Sequence, residues 1–199
     1  MSKELEAARE LVRMLEAKEK SDKVQLSTLN LGETFKIGEH DFIVLEQKQE
    51  QTMVISKGFM AENKRFDDDV RDYNKSSLKE LIESDIQPII ENEVGVDNLV
   101  EHEVDLTSVD MQNEFGTCKC KVRPITFDEA RKYNDLLVNK DLDDWWWTCT
   151  PWSTKERGWE YSIAVVSSSG YIDWCNDDGS SGFRPFCILK SNIFVSRGE

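Results

Sequence analysis

Apolar positions near the start of the chain follow the spacing of a helix. Over residues 2–20, Leu5, Ala8, Val12 and Leu15 recur at alternating steps of three and four, which places them on one helix face. Two heptads make only a short seam. The pattern fits either a helix packed on its own domain or a partner helix or short coiled coil, and we favour a helix that mediates self-association or attachment.

The spacing changes to that of strands after a predicted linker at residues 21–30. Phe35 and Ile37 alternate with polar residues before a turn at 38–41, and residues 42–45 are all apolar. This pattern predicts a hairpin, with residues 52–56 as a third strand.

Helical and extended segments then alternate along the chain. Residues 65–94 are predicted to be helical, with Ser76 or Ser77 as a cap, and Thr126 is predicted to cap a helix over 127–137. Residues 101–108 and 118–125 have strand patterns, as do several segments after Trp145 that are separated by glycine or proline turns. The order predicts an α+β fold with a mostly antiparallel sheet and two or more flanking helices.

Composition narrows the classes of function. The chain has 199 residues, a net charge of −14 and a pI near 4.7, which argues against binding to nucleic acid or to an anionic membrane. The charged start lacks the pattern of a signal peptide, and no apolar run has the length of a membrane span. We therefore expect a cytoplasmic protein, although a component of a phage particle would have the same features.

The five cysteines include no Cys-x-x-Cys pair and are expected to be reduced, small buried residues. Cys118 and Cys120 alternate in a predicted strand. A disulfide between Cys175 and Cys187 is left open by the sequence.

Four of the six tryptophans fall between Trp145 and Trp152. In a strand, Trp145 and Trp147 share one face and Trp146 has the other, so we expect these three to be structural. Arg184 lies among apolar residues and is also expected to be structural, because a buried guanidinium needs partners. A clamp on backbone carbonyls or stacking on a tryptophan is the first interpretation, and anion binding the second.

Several segments together carry a resemblance to a known family. They follow in the order LGETFKIGEHDFIVLE, MVISKGFM, NKSSLKELI, ITFDEARKY, DDWWWTCTPW, VVSSSGYID and GFRPFCIL. The chain resembles a bacterial and phage-associated family of unknown function with a C-type-lectin-like fold, and at greater distance the formylglycine-generating enzymes. The resemblance covers about residues 29–196 and implies a C-type-lectin-like domain at 29–199, whose terminal segments frame a variable, loop-rich surface. The predicted N-terminal helix and linker at 1–28 lie outside it.

The resemblance suggests copper(I) chemistry and calcium-dependent sugar binding, but the residues that each of them needs do not occur in this sequence. The oxygen-dependent formylglycine-generating enzymes bind copper(I) with two nearby cysteines, but Cys175 has no second cysteine close to it, and His40 and His102 do not form an evident ligand set. The run from Trp174 to Asp178 departs from the calcium-binding Trp-Asn-Asp pattern of C-type lectins, and no Glu-Pro-Asn segment occurs. We expect no catalytic residue, metal or cofactor.

A recognition surface is the remaining interpretation of the C-terminal third. Rigid aromatic rings mixed with short polar and charged groups on turns are typical of binding surfaces. The candidate residues are Trp152, Lys155, Glu156, Arg157, Trp159, Tyr171, Asp173, Trp174, Asn176, Asp177 and Asp178. Core and surface placements are both open for Trp159, Tyr171 and Trp174, whereas Lys155, Arg157, Asp177 and Asp178 are expected at the surface.

The sequence therefore predicts a non-catalytic module that binds a protein or a glycan. Some relatives that share the resemblance are ligand-binding proteins diversified by retroelements, which would make residues 152–161 and 171–181 the variable loops. One alternative is a structural or assembly protein oligomerised through residues 2–20. A less favoured alternative is a copper or thiol oxidoreductase related to the formylglycine-generating enzymes.

Overall fold

The computed structural model describes residues 5, 6, 8–13 and 23–198. Residues 5, 6 and 8–13 are helical, and their side chains are exposed. The rest of the predicted helix over 2–20 lies outside the described residues. Its bounds, and self-association through it, stay predictions.

The described part of the chain has fourteen strands, and all but one of the pairings between neighbouring strands are antiparallel. In chain order they are β1 (Lys23–Gln25), β2 (Thr34–Ile37), β3 (His40–Lys48), β4 (Gln51–Ser56), β5 (Ala61–Arg65), β6 (His102–Asp105), β7 (Thr117–Cys120), β8 (Val122–Arg123), β9 (Trp146–Pro151), β10 (Ser162–Val166), β11 (Ile172–Asn176), β12 (Ser180–Phe183), β13 (Phe186–Lys190) and β14 (Phe194–Arg197).

The strands form three sheets. A seven-stranded sheet has the order β1-β14-β2-β3-β4-β13-β8, and a five-stranded sheet has the order β11-β10-β9-β12-β5. Strands β6 and β7 form a separate pair. The parallel contact joins Gly182 of β12 to Trp146 of β9. These sheets, with a few helices, confirm the predicted α+β class and its mostly antiparallel pairing.

The helices are short and begin at the predicted caps. Helix α1 (Ser77–Leu81) continues through a π-helical turn (Ile82–Ile86) into α2 (Gln87–Val94), and Ser76 accepts a hydrogen bond from the Lys79 N–H at its start. Helix α3 (Phe127–Lys132) is followed directly by α4 (Asn134–Leu137). Thr126 and Glu129 form a capping box at the start of α3, as the threonine predicts.

Two hydrophobic cores explain why residues 42–45 are all apolar. Phe42 and Val44 pack into the first core, which lies against α1 and the five-stranded sheet. Ile43 and Leu45 point the other way, into the second core, which includes residues of α3 and α4. Strand β3 is thus buried on both faces and needs no polar alternation.

Two parts of the sequence interpretation are wrong. The segment from residue 65 to 76 is not α-helical: Arg65 ends β5, and bends and a 3-10 helix (Tyr73–Lys75) follow before α1 begins. The predicted linker at 21–30 instead contains β1, which pairs with β14, and Leu26, which is fully buried. Residues 23–28 therefore belong to the folded domain that the sequence begins at residue 29.

No helix within the described ranges is both long and apolar enough to cross a membrane.

Candidate functional site

The tryptophan run at 145–147 anchors strand β9, which leads into the loop at 152–161. Trp146 and Trp147 on β9 are fully buried, in the second and first core respectively, and Trp145 packs against the first core. The indole Nε1–H of Trp147 donates to the Lys64 carbonyl at 2.7 Å. These contacts fix β9, from whose end the chain enters the loop at 152–161.

Arg184 crosses the second core as a clamp between segments. Its Nε donates to the Ser56 carbonyl and its Nη1 to the Leu137 carbonyl, both at 2.9 Å. The guanidinium carbon lies 4.8 Å from the centre of the Trp146 ring. Burial lowers the pKa of Arg184 to about 10. The side chain is fully buried, so it is out of reach of a ligand in solution.

The loop at 152–161 is held by its backbone. Arg71, which is almost fully buried, donates from Nε to the Glu160 carbonyl at 2.7 Å and from Nη1 to the Ser153 carbonyl. Its Nη2 forms an ion pair of 2.7 Å with Glu114. A guanidinium that bonds both ends of a loop fixes the path between them.

Asp110 holds the same loop from another side. Its Oδ2 accepts hydrogen bonds from Ser153 Oγ at 2.6 Å and from the Arg157 guanidinium. Desolvation opposes ionisation of this carboxyl, but hydrogen bonds from Ser108, Ser153 and Arg157 outweigh it and lower its pKa to about 2. Asp110 is therefore a carboxylate at any physiological pH, and Arg157 is a support of the loop.

Three tryptophans meet on the outer side of this loop. The ring centres of Trp152 and Trp159 lie 6.3 Å apart, and those of Trp159 and Trp174 lie 5.2 Å apart in an edge-to-face arrangement. Trp174 is 42% exposed. The rings form a continuous aromatic array that joins the loop to strand β11.

A shallow groove of about 300 Å³ lies against two rings of this array. Its lining, called here the aromatic groove, consists of Lys155, Gly158, Trp159, Glu160, Tyr161, Ser162, Trp174 and Asn176. Lys155 and Glu160 form an ion pair at its rim. The register of β10 and β11 places Asn176 opposite Ser162, so an exposed amide and a hydroxyl-bearing residue lie side by side.

The groove combines the groups that non-covalent recognition needs. Indole and phenol rings offer apolar area with little conformational entropy, while the amide, ammonium and carboxylate offer directional hydrogen bonds. None of the groove's titratable side chains is buried. The arrangement can hold a ligand by stacking and hydrogen bonding.

Other predicted binding residues lie outside the groove. Tyr171, 62% exposed, is in the turn between β10 and β11 and packs edge to face on Trp145, with ring centres 6.0 Å apart. Asp173 is half-buried on the face of β11 opposite Trp174, and Asp178 is exposed after that strand. The structure thus separates Tyr171 from Trp159, which the sequence places on one surface.

Asp177 is buried, contrary to the prediction that it lies at the surface. It is 1% exposed, because its backbone carbonyl accepts hydrogen bonds from the Phe66 and Asp67 N–H groups and draws the residue inward. Burial raises the pKa of Asp177 to about 6, and the nearby carboxylates of Asp178, Asp67 and Asp69 act in the same direction. Asp177 is a buried acid and is not among the residues that line the groove.

Replacing Asp177 with asparagine is expected to stabilise the protein at pH 7.5 by about 1 kcal/mol. An acid whose pKa is raised by folding contributes stability that is fully present below its ordinary pKa and is lost as the pH rises through about 6. The variant and the wild type should therefore unfold at the same urea concentration near pH 3.5, diverge as the pH rises toward 6, and keep a constant difference above pH 6. Equal stability at pH 7.5 would contradict the assignment, and Asp143→Asn, at an exposed position away from this acidic group, is the matched control.

Sequence reasoning missed the groups that shape the groove. Glu160 and Tyr161 line the groove. Their position directly after Trp159 in the sequence could have identified them as candidates. Arg71 and Asp110 anchor the loop from segments about 40 to 90 residues away. No local pattern connects such distant residues.

The cysteines show no metal site. Cys118, Cys120, Cys149, Cys175 and Cys187 are all free thiols, so Cys175 and Cys187 are not joined. Over the part of the chain that the structure describes, no group of three or more histidine, cysteine or acidic residues is arranged to hold a metal ion.

No protein-family model matches the chain, and comparisons with curated proteins and with solved structures likewise find no match.

Proposed function

We propose that the protein is a non-catalytic recognition module with a C-type-lectin-like domain, which binds a protein or glycan ligand in the aromatic groove. The observation that carries the proposal is the contact of Trp159 with both Trp152 and Trp174 beside an open groove. A cluster of large, partly exposed rings with polar groups at its edge is unusual on a surface unless it binds something.

The rigidity of the loop supports this proposal. Arg71 and Asp110 hold the loop backbone before any ligand arrives, so little conformational entropy is lost on binding. A module of this kind works in the cytoplasm or on a phage particle, and its ligand contacts come from side chains at 155–161 and on β11.

Alanine at Trp159 or Trp174 is expected to weaken ligand binding about tenfold or more, because each substitution removes a ring from the groove. The full chain would first be screened on a glycan microarray and against a random peptide library displayed on phage. Titrations of the wild type and each variant with the recovered glycan or peptide then give the change in Kd.

Tyr171→Ala is the matched control, because it removes an exposed aromatic side chain outside the groove. It should bind as the wild type does, and all three variants should retain the wild-type circular dichroism spectrum. A ligand that binds both tryptophan variants with unchanged Kd would refute the assignment of the groove. Recovery of no ligand from either library would count against a recognition role.

A further inference from the structure

Strand β11 is an edge of the five-stranded sheet and lies beside the aromatic groove. In the described part of the chain its only strand neighbour is β10, and Trp174 and Asn176 of β11 line the groove. The register between the two strands is regular from Ile172 to Asn176. The other side of β11 is therefore an unpaired sheet edge.

The alternation of hydrogen bonds shows which backbone groups of β11 face this edge. At one end of the pairing the Asp177 N–H donates to the Tyr161 carbonyl at 2.7 Å. At the other end the Ser167 N–H donates to the Tyr171 carbonyl at 2.8 Å. Odd-numbered residues of the two strands thus bond to each other, and the N–H and C=O groups of the even-numbered residues of β11 point away from β10.

Four outward backbone groups of β11 have no hydrogen-bond partner among the described residues. They are the N–H groups of Ile172 and Asn176 and the carbonyls of Ile172 and Trp174. The remaining outward donor, the Trp174 N–H, bonds to the Asp173 carboxylate at 2.9 Å. The Asn176 carbonyl accepts from the Gly179 N–H in the following turn. A strand that pairs with an exposed sheet edge bonds to unpaired groups of this kind.

The opposite edge of the same sheet is protected against such pairing. The register between β5 and β12 shifts, Asn63 of β5 has a φ of 51°, and Glu62 and Arg65 are exposed. Irregular register, twist and exposed charge are the means by which proteins block sheet edges. The exposed residues of β11 are instead Trp174 and Asn176. Strand β11 is therefore the edge of this sheet that can accept another strand.

The charges around β11 favour a cationic partner. The two cations of the neighbouring loop, Lys155 and Arg157, each form an ion pair with an acid of the protein. Asp173 and Asp178, in and after β11, form no ion pair within the described ranges. The edge therefore carries an excess of negative charge, which complements lysine and arginine side chains.

We propose that the ligand is an extended, cationic segment of a protein, which adds to β11 as a sixth strand of the sheet. This inference rests on the proposed function and selects a peptide over a glycan. The backbone of the segment bonds the outward groups of β11, and its side chains alternate between the two faces of the sheet. On one face, apolar side chains contact Trp174 and the groove, and on the other, lysine or arginine pairs with Asp173.

The test uses the full chain and peptides recovered from the random phage-displayed library. Each peptide is synthesised again with one backbone nitrogen methylated at a time, and the Kd of each version is measured. A methyl group removes the N–H and obstructs an approaching strand. We expect methylation to raise the Kd at least about tenfold at alternate residues and less than about twofold at the residues between them.

Hydrogen exchange measured by NMR locates the added strand on the protein. In the complex, the N–H groups of Ile172 and Asn176 should exchange at least about tenfold more slowly than in the free chain, because they gain acceptors. The N–H groups of Asp173 and Cys175 already face β10 and serve as internal controls.

Asp173→Asn tests the charge, because asparagine keeps an oxygen acceptor for the Trp174 N–H. The Kd of a cationic peptide should rise at least about threefold at low salt and depend less on salt than in the wild type. Asp97→Asn is the matched control, since Asp97 is exposed on a 3-10 turn outside the five-stranded sheet. It should bind as the wild type does.

Several outcomes would overturn the inference. Peptides without the two-residue pattern of methylation, or unchanged exchange at Ile172 and Asn176, would exclude strand addition. A free chain that sediments as a dimer with these two N–H groups protected would show that a second copy fills the edge. A glycan ligand without any peptide ligand would refute the inference and leave the proposed function standing, provided that Trp159→Ala weakens glycan binding. Recovery of neither class of ligand would count against both.

Discussion

Replacing Arg184 with methionine is expected to lower the free energy of unfolding by about 3 kcal/mol. Methionine fills much of the volume of arginine but donates no hydrogen bonds. The Ser56 and Leu137 carbonyls would lose the donors that the guanidinium supplies at 2.9 Å, and the Trp146 ring would lose its cation. Each buried carbonyl left without a donor costs about 1–3 kcal/mol. Urea unfolding followed by circular dichroism measures the difference.

The control for this substitution is Arg197→Met. Arg197 is in β14, is mostly exposed and forms a 3.5 Å ion pair with Glu33. Exposed pairs contribute about 0–1 kcal/mol, so this variant should unfold close to the wild type. If Arg184→Met were as stable as Arg197→Met, the clamp would contribute no net stability, and stacking and hydrogen bonding would only offset the cost of burying the charge.

Glu129→Gln is expected to destabilise the protein by about 3 kcal/mol at pH 7, because it leaves the charge of a buried arginine without its partner. Both oxygens of Glu129 accept hydrogen bonds from Arg123 at 2.7 Å, and Arg123 is almost fully buried against the Phe186 ring. The oxygen of glutamine can still serve the capping box of α3, but its amide nitrogen cannot accept from Arg123, so the substitution removes the charge together with one acceptor. Asp128→Asn is the control, since Asp128 lies in the same helical turn but is exposed.

The pH dependence of the free energy of unfolding also tests the contacts between Glu129 and Arg123. Although burial opposes ionisation of Glu129, the charge of Arg123 outweighs it and lowers the pKa of that carboxyl. An acid whose pKa is lowered by folding contributes stability that is present above its ordinary pKa and is lost as the pH falls. The difference between wild type and Glu129→Gln should therefore shrink below pH 4.5. A difference that stays constant down to pH 3 would show that packing, rather than charge, causes the effect.

His102 adds a second acid-sensitive contact to this network. Its Nε2 accepts from Arg123 Nε at 3.0 Å, so the ring must be neutral at that nitrogen. Burial and the Arg123 charge lower the pKa of His102 to about 4. The stability that the neutral ring of His102 contributes is fully present above pH 6.5 and is lost as the pH falls toward 4. The stability that protonated Asp177 contributes changes in the opposite direction, because it is lost as the pH rises toward 6.

The sequence correctly predicted those parts of the fold that depend on residues close together in the chain. The hairpin of β2 and β3 follows from alternation and a turn, and Thr126 caps α3 through residues three positions away. Strand β5 was missed because Ala61–Arg65 is mostly exposed and carries no apolar alternation. Its strand conformation depends on pairing with β12, more than a hundred residues later, and no local signal reports that.

The candidate site was predictable in its composition and not in its geometry. Trp159, Trp174 and Asn176 line the groove, as the mixture of rings and polar groups suggests. The burial of Asp177 was missed because it depends on backbone hydrogen bonds from Phe66 and Asp67. The polar sequence around Asp177 gives no sign of these distant partners.

The way in which Arg71 holds the loop at 152–161 has a consequence for how the sequence of that loop can evolve. Arg71 bonds the carbonyls of Ser153 and Glu160, and every amino acid has a carbonyl. The path of the loop backbone is therefore largely independent of the side chains at residues 154–156, whereas Arg157, Gly158 and Trp159 support the loop or its aromatic array. Mutations at residues 154–156 can alter what is recognised while the scaffold stays unchanged, and a library randomised there would give many specificities on one frame.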